Sequence, residues 1–332
     1  MSPGPSDPRA DRLTIARHLT DADIADSLRA DARDGLTSRP KEIPPKWFYD
    51  ERGSELFDEI TRLEEYYPTE AERRALQDAA GDIVELSGAE TVMELGSGSS
   101  DKTVVLLDAF AAAGSLARYV PFDVSASALE SAAARLLTRY PTLEISGVIG
   151  DFDRHLEHLP IGGQRLLAFL GGTIGNYAPL PRKQLLATIA DVLNTGETLL
   201  LGTDLVKDPE RIVRAYDDER GVTAAFNRNL LHVLNRELAA DFEPDAFDHV
   251  ALWNDEGEWI EMRLRARGPQ HVTVTGLDLA VDFADGEEML TEISAKFRRD
   301  GIVGELEAAG FELVRWFTDP AGDFALSLSR RR

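Results

Sequence analysis

The feature that most constrains this chain is a regular alternation of short apolar strands and helices that begins at Thr91. Residues 91–95 read as a strand, a glycine turn follows, and a helix runs through Phe110. Residues 116–122, 143–149, 165–170 and 198–203 read as four more strands, with helices at 126–137 and 181–193. Apolar strands separated by helices form a parallel sheet that is covered on both faces. The alternation stops at Leu205. Beyond it, 209–240 reads as helices broken at Gly221, 250–267 as a hairpin, and 271–274 and 277–283 as further strands. A helix at 300–309 and a hairpin formed by 311–317 and 324–329 close the chain. Upstream, 21–36 reads as a helix, and Pro40, Pro44 and Pro45 exclude regular helix before Tyr49. Thr69 with Glu72 has the spacing of a capping box opening a helix to about residue 80.

This pattern predicts an α/β protein whose doubly wound core is interrupted by an insert. Residues 80–205 plus 296–332 form the core. Residues 16–79 plus 206–295 pack together as a second, α+β domain, and residues 1–15 form a disordered tail. Pockets form where such domains meet at the carboxyl ends of parallel strands.

Lys and Arg number 36 against 59 Asp and Glu, a net charge of −23. That balance repels nucleic-acid phosphates and anionic membranes. It suits small-molecule substrates without naming any, and solubility alone is the simpler reading; the polar first 12 residues and the lack of any long apolar run point to a cytoplasmic protein. The absence of cysteine excludes disulfides and thiolate sites. His155 and His158 read as a solvated pair, and no metal site is expected.

The turn after the first strand of the alternation reads Glu94-Leu95-Gly96-Ser97-Gly98-Ser99-Ser100. Glycines at 96 and 98 let backbone approach a ligand closely. A dinucleotide fingerprint needs a third glycine where Asp101 stands, and an acid there opposes a pyrophosphate. S-adenosylmethionine (SAM) carries an ammonium and no phosphate, so this loop suits it better. Asp123 ends the second strand, where a carboxylate can accept both ribose hydroxyls. Asp151 and Phe152 end the third, placed to take an adenine amino group and pack on its ring. Each acid alone reads equally as a helix cap; three in succession form the SAM-methyltransferase pattern. Lys102 reads either as a partner for the methionine carboxylate or as a solvated helix lysine. The fourth strand ends in Gly171-Gly172-Thr173-Ile174-Gly175-Asn176, a glycine-rich turn beyond which a methyl acceptor sits.

From about Leu36 onwards the chain resembles the histidine Nα-methyltransferases that form hercynine on the way to ergothioneine. The resemblance rests on Pro44-Pro45-Lys46-Trp47-Phe48-Tyr49-Asp50, Glu65-Tyr66-Tyr67-Pro68-Thr69, the Glu94 to Gly98 turn and Gly171 to Asn176. It extends to Gly202-Thr203-Asp204-Leu205-Val206-Lys207, Arg214-Ala215-Tyr216-Asp217-Asp218 and Thr291-Glu292-Ile293-Ser294. It implies a Rossmann-like class I core with a seven-stranded, mostly parallel sheet, SAM as cofactor and L-histidine as substrate. It assigns Asn176 to the substrate's amino group and carboxylate, Tyr66 and Tyr216 to the carboxylate, and Glu292 and Ser294 to the imidazole. Tyr49 falls near the reacting nitrogen, and Met262 and Gly171 line the pocket. On the cofactor side it names Gly96, Lys102, Asp123, Asp151 and Phe152. A monomer is expected.

The residue types alone leave other readings open: Glu292 as a surface acid, Ser294 as a helix cap, Tyr66 and Tyr216 as core aromatics. Yet residues 292 and 294 face the same way on an extended segment. A carboxylate and a hydroxyl together can address both imidazole nitrogens. A related methyltransferase acting on a tryptophan derivative is the alternative, and an NAD-linked oxidoreductase is disfavoured by the missing glycine.

Overall fold

The computed structural model describes residues 12–98, 100 and 102–332; Ser99 and the expected ligand neighbour Asp101 lie outside them. The chain begins with β1 (Leu13–Arg17) and α1 (Asp21–Thr37), where Thr20 and Asp23 cap the helix reciprocally. Next come β2 (Lys41–Glu42), a 3₁₀ turn at Pro45–Phe48, α2 (Glu51–Ile60) and α3 (Pro68–Ser87). The alternating core follows as β3 (Thr91–Leu95), α4 (Thr103–Ala112), β4 (Arg118–Asp123), α5 (Ala126–Arg139) and β5 (Glu144–Ile149). It continues through β6 (Arg165–Phe169), α6 (Pro179–Val192) and β7 (Thr198–Asp204).

The insert holds α7 (Pro209–Tyr216), α8 (Val222–Leu238), β8 (Phe247–Asn254) and β9 (Trp259–Ala266). It goes on to β10 (Gln270–Val274), β11 (Leu279–Phe283) and β12 (Glu288–Ala295). Then α9 (Arg299–Ala308), β13 (Phe311–Thr318) and β14 (Phe324–Arg331) return to the core.

Among the described residues the main sheet has eight strands in the order β1-β5-β4-β3-β6-β7-β14-β13. Only β14 runs antiparallel to its neighbours. Seven of the strands form the expected class I core. The eighth, β1, corrects the expectation of a disordered tail through residue 15. It pairs in parallel with β5, which would otherwise be an open edge. Arg12 fastens it by donating to the carbonyls of Tyr140 and Leu143.

A second correction concerns α3. Pro68 occupies its first turn and Thr69 does not cap it, so no capping box forms. Instead Glu72 is buried and faces inward. Ala71, Ala75, Leu76, Ala79 and Ile83 of α3 pack with the sheet residues Val92, Leu166 and Leu326. The boundary expected at residue 80 therefore falls inside a helix that lies wholly against the core sheet.

The rest of the N-terminal segment packs with the insert. Leu36, Phe48 and Leu56 share one apolar cluster with Phe226, Leu230, Met262 and Phe283. A four-stranded sheet, β2-β12-β9-β8, backs that cluster. The insert leaves and re-enters the core at adjacent points. Leu205 bridges Phe297, and the Phe297 N–H donates to the Asp204 carbonyl at 2.8 Å.

At the amino end of β6, Arg165 is fully buried and forks onto Glu197 at 2.7 and 2.5 Å. It also donates to the carbonyls of Pro160 and Val192. Removing one partner of a buried pair strands the other's charge. Arg165→Met is therefore predicted to cost about 3–5 kcal/mol of unfolding free energy in urea titration. A loss below about 1 kcal/mol, the worth of an exposed pair, would contradict this.

Candidate active site

The residues expected at the cofactor lie on three turns at the carboxyl ends of β3, β4 and β5. Gly96 and Gly98 have φ of +67° and +47°, and a Cβ at either would meet nothing within 4 Å. The turn thus presents bare backbone to open space. Beneath it, Glu94 accepts from Thr103 and Tyr119, and Ser100 lies 2.9 Å from the Tyr119 hydroxyl. Burial lifts the Glu94 carboxyl to about 7 despite those two donors.

Asp123 accepts from Gly98 N–H at 2.7 Å and Ser125 N–H at 2.8 Å, one on each oxygen. Each oxygen keeps a lone pair for a ligand hydroxyl. Burial raises its carboxyl above the usual range, with the backbone donors opposing. Phe152 stands edge-on to Phe169 at 5.6 Å. Asp151 receives the Asp153 N–H on one oxygen, and its own N–H donates to His155. His158 is exposed and His155 half-buried, and both rings stack with His18, whose ring centroid lies 3.8 Å from that of His158.

Lys102 is neither free nor solvated. It pairs with Glu72, whose other oxygen accepts the Gly171 N–H at 2.7 Å. Gly171 has φ +79°, and a Cβ there would press on the Lys102 ammonium at 3.4 Å. Gly171 and Lys102, expected on the substrate and cofactor sides respectively, therefore meet at one point.

The residues expected at the substrate gather along β12. Its register on β9 shifts between Leu290 and Glu292, leaving a bulge at Thr291. The Thr291 hydroxyl is held by Asn227 and the Met262 carbonyl. Beyond the bulge Glu292 pairs with Met262, and Ser294 with Ile260. Ser294 accepts from the Tyr216 hydroxyl at 2.9 Å. Tyr66 stands edge-on to Tyr216 at 6.0 Å and to Phe57 at 6.2 Å. Tyr49 contacts Phe57 at 5.5 Å and Phe226 at 5.6 Å. It follows the 3₁₀ turn directly and precedes Asp50, which is anchored by Gly53, Asn229 and Arg236.

Asn176 ends a 3₁₀ turn, Thr173–Asn176, after β6. A Cβ at Gly175 would stand 2.8 Å from the Ala295 carbonyl oxygen. Only glycine lets this turn press against β12, where a Cβ at Gly175 would also lie 3.5 Å from Ser294 Oγ.

These groups share one electrostatic environment. Tyr49 is 42% exposed, yet the protein mass around it, then Glu292, Tyr66 and Tyr216, hold its ionisation above the ordinary tyrosine range. Burial and neighbouring hydroxyls and carboxylates likewise raise Tyr66 and Tyr216. Burial lifts Glu292 from 4.5 to about 7, with Lys296 only partly opposing.

A family model described as histidine-specific methyltransferase, SAM-dependent, matches residues 28–331. The chain belongs to this family. The Histidine N-alpha-methyltransferase of Mycolicibacterium smegmatis is 58% identical to this methyltransferase, over 96% of this chain and 99% of that protein. That of Mycobacterium tuberculosis is 56% identical over 96% and 100%. A 4-dimethylallyltryptophan N-methyltransferase of Trichophyton verrucosum is 29% identical over 73% and 74%. SAM is the methyl donor, and the open glycine turn with Asp123 and its spare lone pairs fits that ligand.

Several residues of this enzyme's site escape a reading by sequence. Glu72 looks like a helix cap but holds Lys102 and Gly171. Asp204, Lys207, Tyr67 and Lys296 form a buried cluster under Tyr216. Tyr67 donates to Asp204 at 2.8 Å, and Lys207 and Lys296 flank the same carboxylate. Against its burial, the two ammonium groups keep Asp204 below the usual carboxyl range. The signal for Lys296 was present: residues 292, 294 and 296 share a strand face.

Because Glu292 titrates higher in the folded chain than the ordinary 4.5, its ionised form costs stability. The cost is absent below the unfolded value, grows as pH rises through the window, and is complete above about 7. Glu292→Gln is predicted to raise unfolding free energy by up to about 3 kcal/mol near pH 8 and by nothing below about pH 4. Urea titrations giving the same difference at both ends of the range would refute that origin.

Proposed function

We propose that this methyltransferase moves methyl groups from SAM to the α-amino nitrogen of L-histidine, three times in succession, giving hercynine on the route to ergothioneine. The observation that carries the reading is the pairing of Glu292 and Ser294 on one face of β12, beside Tyr216. An indole ring has one polar hydrogen and no accepting nitrogen, so it would leave the Ser294 hydroxyl unanswered. In this reading the enzyme works as a monomer in the cytoplasm.

In this reading SAM is held by Gly96, Lys102, Asp123, Asp151 and Phe152. When bound, it supplies an electrophilic methyl group that only an unprotonated amine can attack. Asn176 holds the substrate's amino group and carboxylate, Tyr66 and Tyr216 the carboxylate, and Glu292 and Ser294 the imidazole. Met262 and Gly171 close the walls. Fixing the molecule at both ends confines the amine to one approach, and such positioning supplies most of the rate.

Tyr49 faces the reacting nitrogen. Its ionisation is held above the tyrosine range, so its hydroxyl stays protonated at neutral pH. Tyr49 therefore orients the amine, and the departing proton passes to water in the cleft that it borders. As methyls accumulate the nitrogen becomes a permanent cation. The ring faces of Tyr49 and Phe57, packed edge-on at 5.5 Å, stabilise it.

Mass spectrometry of histidine incubated with SAM and the protein is expected to show a product heavier by three methyl groups. Histidine left unmodified, with SAM still bound, would sink the substrate assignment. Tyr49→Phe is expected to retain SAM binding and to lower kcat about tenfold or more. Unchanged rates for all three transfers would remove Tyr49 from the mechanism.

A further inference from the structure

Lys296 is wholly buried at the end of β12, and none of the roles above uses it. An ammonium has three donors and no acceptor. Here all three are spent on three acceptors. The Asp204 carboxylate lies at 2.9 Å, the Tyr216 hydroxyl oxygen at 3.0 Å and the Ser294 hydroxyl oxygen at 3.0 Å. Asp204 is itself fixed by Lys207 and Tyr67, so the ammonium cannot turn away.

We infer that Lys296 is a positioning residue that forces the hydroxyls of Tyr216 and Ser294 to act as donors toward the substrate. A hydroxyl has one proton and two lone pairs, and it ordinarily rotates to suit its partner. Ser294 already accepts from Lys296 and from Tyr216, so both its lone pairs are filled. Its own proton can then point only outward, into the cleft. Tyr216 accepts from Lys296, which leaves its proton to donate, to Ser294 in the structure; when a carboxylate takes that proton, the ammonium still donates to both hydroxyl oxygens and can accept from neither, so the Ser294 proton keeps its outward direction.

The consequence is chemical selection. An outward Ser294 proton needs a ring nitrogen with a lone pair, while Glu292 on the same face needs a ring N–H. A neutral imidazole offers one of each. An indole offers only the N–H, and a doubly protonated imidazole offers no lone pair. Lys296 would thus set the ring preference without touching the ring. This inference rests on the histidine reading of the site.

The test compares Lys296→Met, Ser294→Ala and the double variant with the wild-type protein. Lys296→Met is expected to raise KM for histidine about tenfold or more, with kcat within about threefold and SAM affinity unchanged. The double variant is expected to be no worse than the poorer single variant, because both remove the same proton from use. Additive losses, or a fall in kcat and SAM affinity together, would overturn the inference in favour of a structural role. If Lys296→Met fails to bind SAM, Lys296→Met with Asp204→Asn removes both charges at once. Failure of that variant too would again favour the structural role. Calorimetry with wild-type protein separates the two levels. No histidine binding there defeats the substrate reading itself, whereas normal binding by wild type and Lys296→Met alike defeats only the role of Lys296.

Discussion

The active site depends on a single crossing point. The chain leaves the core sheet at Asp204 and returns at Phe297, and these two strands touch. The backbone of Phe297 binds that of Asp204, Val206 N–H donates to the Phe297 carbonyl at 3.1 Å, and the Lys296 ammonium meets the Asp204 carboxylate. An insert of some 90 residues could swing on its two connections. Here they are fused into one, so the four-stranded sheet cannot move without breaking a buried ion pair. Such a pair is poor evidence for net stability, since desolvation cancels much of its attraction. Its value lies in geometry: breaking it leaves a charge buried, so the crossing has one acceptable arrangement.

That arrangement explains why β12 forms the wall of the site. Gly175 lets the turn after β6 press on the Ala295 backbone, and the crossing holds the far end of the same strand. The bulge at Thr291 then sets which residues look into the cleft, because one added residue reverses every side chain beyond it. Glu292 and Ser294 face inward as a result of these constraints, each of which belongs to a different element.

Local periodicity carried the alternating core and most of the insert, because strands buried on both faces and helices with one apolar face announce themselves in a short window. What it could not carry was anything decided by a distant partner. The segment Leu13–Arg17 is short and half-exposed, and it is a strand only because the edge of β5 receives it. Thr69 and Glu72 have capping spacing, but Pro68 opens that helix and Lys102, thirty residues on, claims the carboxylate. The site divides the same way. Glycines and acids at strand ends could be listed from sequence. The meeting of Gly171 with Lys102, and the ammonium beneath Tyr216 and Ser294, exist only once segments distant in the chain close on each other.

The core and the insert divide the labour between them. Methyl transfer demands little of a protein beyond holding a neutral amine in line with the donor, and the core sheet with its three turns meets that demand for any amine. In the proposed reading, substrate choice is delegated to the insert. A carboxyl raised to about 7 is expensive to keep in an empty cleft, and a chain selected for stability alone would replace it. In the proposed reading the ligand offsets that cost, through a ring N–H that satisfies the carboxylate. Paired, in that reading, with a hydroxyl whose proton points outward, it would select a ring with one donor and one acceptor. Exchange of those two side chains would leave the fold, the cofactor turn and the amine clamp intact while changing which amino acid enters, which is how one scaffold can serve an azole in one relative and an indole in another.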